Sequence, residues 1–214
     1  MRSTDRAEME VRPEARLAWF AAALEELTAF LLSGDAFRPL SRLPRGTSLD
    51  LSLGGLLLAR DALQASESEL SPSARAEWFR LRARWDEERR RNAAAIDRKA
   101  SAELPNRFNL WRAYLSDLGE KPDEVHGYPT EVRNRVVIAR LSQAMEPRAS
   151  PAGHGLADLD DLLRAWFNIG QFIWPKSLAS VYPLAEFWFL YGAPDPERIR
   201  SQPSGGSMLS GAPS

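Results

Sequence analysis

The sequence predicts an all-α fold, a single irregular multi-helix bundle, and three observations carry that reading. Ala (30 residues) and Leu (29) far outnumber Val, Ile and Thr together (15), and the β-branched residues are the ones strands favour. Apolar residues recur at intervals of three and four along much of the chain. The chain has 214 residues and no Cys, and a single domain of that size buries roughly 70% of its unfolded surface, so it needs neither a disulfide nor a structural metal. The domain is expected over residues 13–194, between a flexible start (1–12) and a disordered tail (195–214) rich in Gly, Ser and Pro.

Pro13 fits the first turn of a helix, and Leu17, Phe20, Leu24, Leu27 and Leu31 follow at helical spacing, so the first helix is expected from about Pro13 to Leu32. Ser33-Gly34-Asp35 ends it, and Pro39, Pro44 and Gly46 mark a loop. Ser48 to Leu53 alternates like a strand, yet the Leu-dense stretch to Ala65 reads as helix, with Gly54-Gly55 permitting close approach to a neighbour. A long central amphipathic helix is expected from Ser71-Pro72 to about Ala102, with Trp78, Leu81, Trp85, Asn92 and Ile96 near one stripe. Pro105 stops or kinks it, and Phe108 to Leu118 continues as a further helix. Thr130 is a candidate N-cap for the helix carrying Val132, Val136, Val137, Leu141 and Met145. Glu146 to Gly155 reads as a linker, and Asp158–Trp174 and Ser177–Tyr191 read as an aromatic-rich C-terminal helical hairpin.

Familiar catalytic motifs are missing: there is no nucleophile elbow, phosphate loop, dinucleotide fingerprint or zinc-protease pair. His126 and His154, both in loops, cannot build a three-histidine site, and without Cys no thiolate chemistry is available. No cofactor or resident metal is expected. The acidic trio Asp158, Asp160 and Asp161 offers the only dense carboxylate group. Asp158 and Asp161 would share a helix face and could hold a metal or phosphate, although acidic residues in a first helical turn need no ligand to explain them. The first twelve residues lack the apolar core of a signal peptide, and no run of about 18 apolar residues exists to span a membrane, so a cytoplasmic location is the expectation.

Net charge is −1, yet Arg outnumbers Lys 25 to 3, a bias that GC-rich coding also produces. Residues 75–99 hold nine basic and five acidic side chains. Arg80, Arg84 and Arg91 are the candidates for contacting a nucleic-acid backbone, against the alternative that Glu87 and its neighbours neutralise the face. Nine of the 20 aromatic residues fall between Ala165 and Pro194. Trp174, Tyr182, Phe187, Trp188 and Tyr191 are therefore candidates for partner binding, with a buried core as the competing reading. Asp161, Arg164, Asn168 and Gln171 form one polar stripe if helical, either solvent-facing or, with Glu186, lining a pocket. The expected function is a non-catalytic protein-interaction or assembly module that binds a protein partner or itself. Nucleic-acid binding along 75–99 is the alternative, and a helical enzyme using Asp158 and Asp161 is the second.

Overall fold

The computed structural model describes residues 12–40, 50–145 and 153–201. Residues 1–11 and 202–214, and most of the expected linker, lie outside that set. Seven α-helices carry the architecture among the described residues, with only two small antiparallel strand pairs. The helical bundle expected from the Ala and Leu bias is what forms.

Helix α1 (Pro13–Leu32) starts on Pro13 and buries the whole predicted stripe, Leu17, Phe20, Leu24, Leu27 and Leu31. Its C-terminal carbonyls are met from a distance. Lys99 donates to the Ser33 carbonyl (2.9 Å), the Ser33 hydroxyl (3.1 Å) and the Asp35 carbonyl, and its ammonium lies 4.2 Å from the centre of the Phe30 ring. A cation is favourable at that end of a helix. Burial lowers the Lys99 pKa, and three acceptors use its three donors, which marks it as a cap rather than a free base.

A two-residue strand pair, β1 (Arg38–Pro39) with β2 (Asp50–Leu51), precedes helix α2 (Leu53–Ala65). Ser52 caps α2 by accepting from the Gly55 N–H at 3.0 Å. Beneath it the fully buried Glu103 carboxylate accepts from the Gly54 N–H (2.9 Å), the Ser52 hydroxyl (3.1 Å) and Arg107 (2.9 Å). It satisfies donors that a helix start leaves open. A Cβ at Gly54 would sit 2.4 Å from Val137 Cγ1 and 2.7 Å from Glu103 Oε1. That glycine sets how closely α2 approaches its neighbours.

The long central helix is divided. Helix α3 (Pro72–Arg91) and helix α4 (Ala93–Glu120) meet at Asn92, whereas Pro105 lies inside α4. The Asn92 side-chain amide donates to the Glu88 carbonyl (3.0 Å) and carboxylate (2.9 Å), offering the backbone a local alternative to continued helix. Pro105 is accommodated inside α4, where Ser101, whose carbonyl loses its donor, is exposed to water. Helix α3 rests on α1 through Trp78, set edge-on to Phe20 at 5.6 Å, and through Arg84, which donates to the Leu24 carbonyl at 3.0 Å.

Helix α5 (Tyr128–Ala144), entered from a 3-10 turn at Pro122–Gly127, runs through the middle of the core, with Val132, Val136, Val137, Ile138 and Leu141 fully buried. It starts two residues before the predicted cap at Thr130, and Pro129 occupies its first turn. Two arginines are carried inward with it. Arg135 forms a two-point ion pair with Asp160, both contacts 2.7 Å, and stacks 4.5 Å from the Phe189 ring. Arg140 meets the fully buried Asp61 at 2.6 Å, which also holds Arg60 at 2.7 Å. The Arg140 guanidinium covers the rings of Tyr182 and Phe187.

The expected C-terminal helical hairpin takes another form. After helix α6 (Gly153–Trp166) the chain enters strand β3 (Phe167–Phe172), passes through short 3-10 turns at Lys176–Ser180 and Trp188–Leu190, and returns as strand β4 (Tyr191–Pro194). Asn168, Ile169, Gly170 and Ile173 are all weak helix formers, and Gly192 adopts φ +138°, which side chains rarely tolerate. Helix α7 (Pro196–Ser201) then occupies part of the segment expected to be disordered and buries Ile199.

Replacing Gly54 by Ala should lower stability by about 1–3 kcal/mol, since the added methyl meets Val137 and Glu103 rather than open space; urea unfolding measures it. Alkaline pH supplies a second check. Burial raises the pKa of Tyr128 and Tyr182 well above 10, and of Tyr114 as well. The unfolded chain therefore loses protons that the folded chain keeps, and stability should fall as pH rises past about 10, by up to about 1.4 kcal/mol per pH unit for each such tyrosine. Phenolate absorbance should rise together with loss of helical circular dichroism.

Candidate functional site

The aromatic residues singled out by sequence are drawn into the core. Tyr182 and Phe187 are buried, Trp174 is buried with its indole N–H donating to the Pro129 carbonyl at 2.8 Å, and Trp188 and Tyr191 are half-buried. Tyr191 donates to the Tyr182 carbonyl at 2.9 Å. Their rings form a continuous edge-to-face series, Trp174–Tyr182–Phe187–Phe189–Trp188–Phe167–Tyr128, with neighbouring centres 5.0 to 6.2 Å apart. Such pairs add stability beyond their buried area. Within one chain these rings hold the ribbon on α5 and present little surface to a partner.

The polar stripe is split by the end of α6. Asp161 and Arg164 lie exposed on that helix, Arg164 stacked 3.9 Å from the Trp188 ring. Asn168 and Gln171 belong to β3 instead, and Glu186, on the far side of the ribbon's long connection, accepts from Gln143 at 3.0 Å. The five residues therefore do not line one pocket. Of the acidic trio, Asp160 is committed to Arg135, whereas Asp158 and Asp161 are exposed. Among the described residues no three acidic or histidine side chains come together as a metal cluster. His126 is exposed in the 3-10 turn with its Nδ1 near the Asp123 carbonyl at 3.1 Å, and the His154 side chain lies outside the described set.

On the Arg-rich segment, Arg84 is held by the Leu24 carbonyl, and Glu87 pairs with both Arg90 and Arg91, the latter at 2.6 Å. Arg75 closes the turn before α3 by donating to the Glu67 and Ser68 carbonyls. Arg80 is exposed beside Phe79, itself 48% exposed. Much of the segment's positive charge is thus spent on caps and intrahelical pairs. No described helix is long and apolar enough to cross a membrane.

What the surface does present is the ribbon. Strand β4 lies along one edge of β3, and among the described residues no strand lies along the other. Ile169, in the middle of β3, is 88% exposed. Beside it an open groove of about 580 Å³ is lined by Asn168 to Ile173 and Gly192 to Pro196. Pairing runs Phe167 with Pro194, Asn168 with Ala193 and Ile169 with Gly192, then skips to Phe172 with Tyr191, so Gly170 and Gln171 form a bulge. Bulges bend a strand and re-aim its side chains. Gly170 and Gly192 meet across the ribbon, where a Cβ on Gly170 would stand 3.7 Å from the Gly192 Cα.

One charged residue lines the groove. Asp195 accepts from the Glu197 amide at 2.9 Å and the Asn168 side chain at 2.8 Å, contacts that hold its carboxyl below the usual carboxylate range. Ile169, Gly170 and Gly192 are the functional candidates that the sequence reading missed. The signal was an Ile beside a Gly in a segment of poor helix formers, which a helical assignment hides.

Gly192→Ala should dismantle the ribbon, because the new Cβ would fall 2.0 Å from the Asn168 carbonyl oxygen at a positive φ. A stability loss of about 3 kcal/mol is expected, read by urea unfolding, with loss of near-ultraviolet circular dichroism from the packed rings. Comparison with family models, curated proteins and solved structures finds no match to this chain.

Proposed function

We propose that the protein is a non-catalytic interaction or assembly module whose binding surface is the open edge of β3 and the groove beside it. The observation that carries this reading is Ile169, a large apolar side chain 88% exposed on a strand along whose second edge no described strand pairs. Strand edges recruit extended polypeptide through main-chain hydrogen bonds, with side-chain specificity added from adjoining pockets. The groove has the parts for that. Gly170 is exposed and has no side chain to obstruct a foreign backbone, Asn168 and Gln171 bring amides that both donate and accept, and Phe172, Pro194 and Pro196 supply apolar walls. Its one carboxylate already has two donors, so an uncharged extended segment suits it better than a cationic one.

The test is binding of immobilised ten-residue peptides with alternating apolar and small residues, followed by amide shifts in nuclear magnetic resonance. Shifts should concentrate on Ile169, Gly170 and Gln171. Ile169→Lys should weaken binding at least tenfold while leaving the melting temperature unchanged. Binding that ignores Ile169, or no binding by any strand-forming peptide, sinks the reading.

A further inference from the structure

We infer that the extended segment taken up by this edge is β3 of a second copy of the chain, paired antiparallel across a twofold axis at Ile169. The inference rests on the open-edge reading above and names its partner.

Charge is the first argument. A contact across a twofold axis brings the same patch from both copies together, so any charge near the axis meets its own likeness, and like charges opposite one another in strands destabilise the pair. From Phe167 to Pro175 the chain carries no charged residue, although 27% of all its residues are charged. Exposed strands are ordinarily guarded by lysine, proline, an inward charge or a bulge; β3 carries no lysine, proline or charge, and its bulge begins only after Ile169. An uncharged edge is the kind that tolerates its own copy.

The apolar content agrees. With Ile169 opposite Ile169, the most exposed large apolar side chain among the described residues, at 88%, covers its counterpart. That register also places Asn168 opposite Gly170, so the amide meets no bulky side chain. The contact is bounded at both ends. Arg198 donates to the Phe167 carbonyl at 3.1 Å, and Trp174 is tied to Pro129, which limits pairing to a short central stretch and favours a closed dimer over a growing sheet. A strand edge of six residues buries less than a standard stable interface, so association is expected to be weak and concentration-dependent.

Sedimentation velocity on the full chain, from about 10 to about 500 µM at low ionic strength, reads it. Wild-type protein should move from monomer to dimer across that range, and Ile169→Lys and Ile169→Asp should each remain monomeric with unchanged melting temperature. An equimolar mixture of the two variants should associate about tenfold more tightly than either alone, because opposite charges then meet on the axis.

A wild type that stays monomeric at about 500 µM overturns the inference, and so does a mixture no better than its components. Slow amide exchange at Ile169 and Gly170 in the dilute monomer would show the edge covered by the chain's own residues, which overturns it too. If the monomeric wild type still binds strand-forming peptides through Ile169, only the identity of the partner fails. If it binds none, the open-edge reading fails with it.

Discussion

Two arginines that α5 carries into the core dictate where its neighbours lie. A buried guanidinium needs a carboxylate in good geometry, since removing one partner of such a pair leaves an uncompensated charge worth about 3–5 kcal/mol. Arg140 finds Asp61 on α2 and Arg135 finds Asp160 on α6. Both also sit over rings of the C-terminal segment, Arg135 over Phe189 and Arg140 over Tyr182 and Phe187. Helix α2, helix α6 and the ribbon's connection are therefore located against one helix by directional contacts. Apolar packing fills the space between them without specifying their register.

The same logic explains the cost and use of the ribbon. Its aromatic connection is committed inward, and Trp174 closes it by bonding back to Pro129 at the start of α5. Strand β4 is mostly covered, so β3 is left as the outer strand, with Asn168 to Gln171 exposed. The exposed edge follows from how firmly the rest of the segment is anchored. An edge anchored this way has less freedom to lose when a partner arrives than an unanchored segment would.

The bundle was legible in the sequence because helix formation follows local rules. The stripe Leu17 to Leu31, the valines of α5 and the N-terminal prolines of α1 and α3 all lie where periodicity and capping put them. Two boundaries were not legible. Asn92 and Pro105 have opposite reputations as helix breakers, and the outcome turned on a side-chain bond to Glu88 and on solvent reaching Ser101, neither of which spacing reveals. The aromatic concentration was visible, and so was the difficulty of placing Phe187, Trp188 and Phe189 on one helical face. Their resolution as a ribbon depends on Gly192 at positive φ and on pairing partners 19 to 27 residues away. Of the five pocket candidates, Asn168 and Gln171 do line the groove, but for strand reasons rather than helical ones.

Asn92 also sets a rule for the chain's length. One residue joins two helices of 20 and 28 residues, so no slack separates the azimuth of α3 from that of α4. Each residue turns a helix by about 100°. Inserting or deleting a single residue between Trp85 and Asn92 would thus swing Trp78 off Phe20 of α1 and carry Arg84 away from Leu24. The count from Trp78 to Lys99 would have to stay constant in any variant of this chain, because both ends of that span grip the same helix.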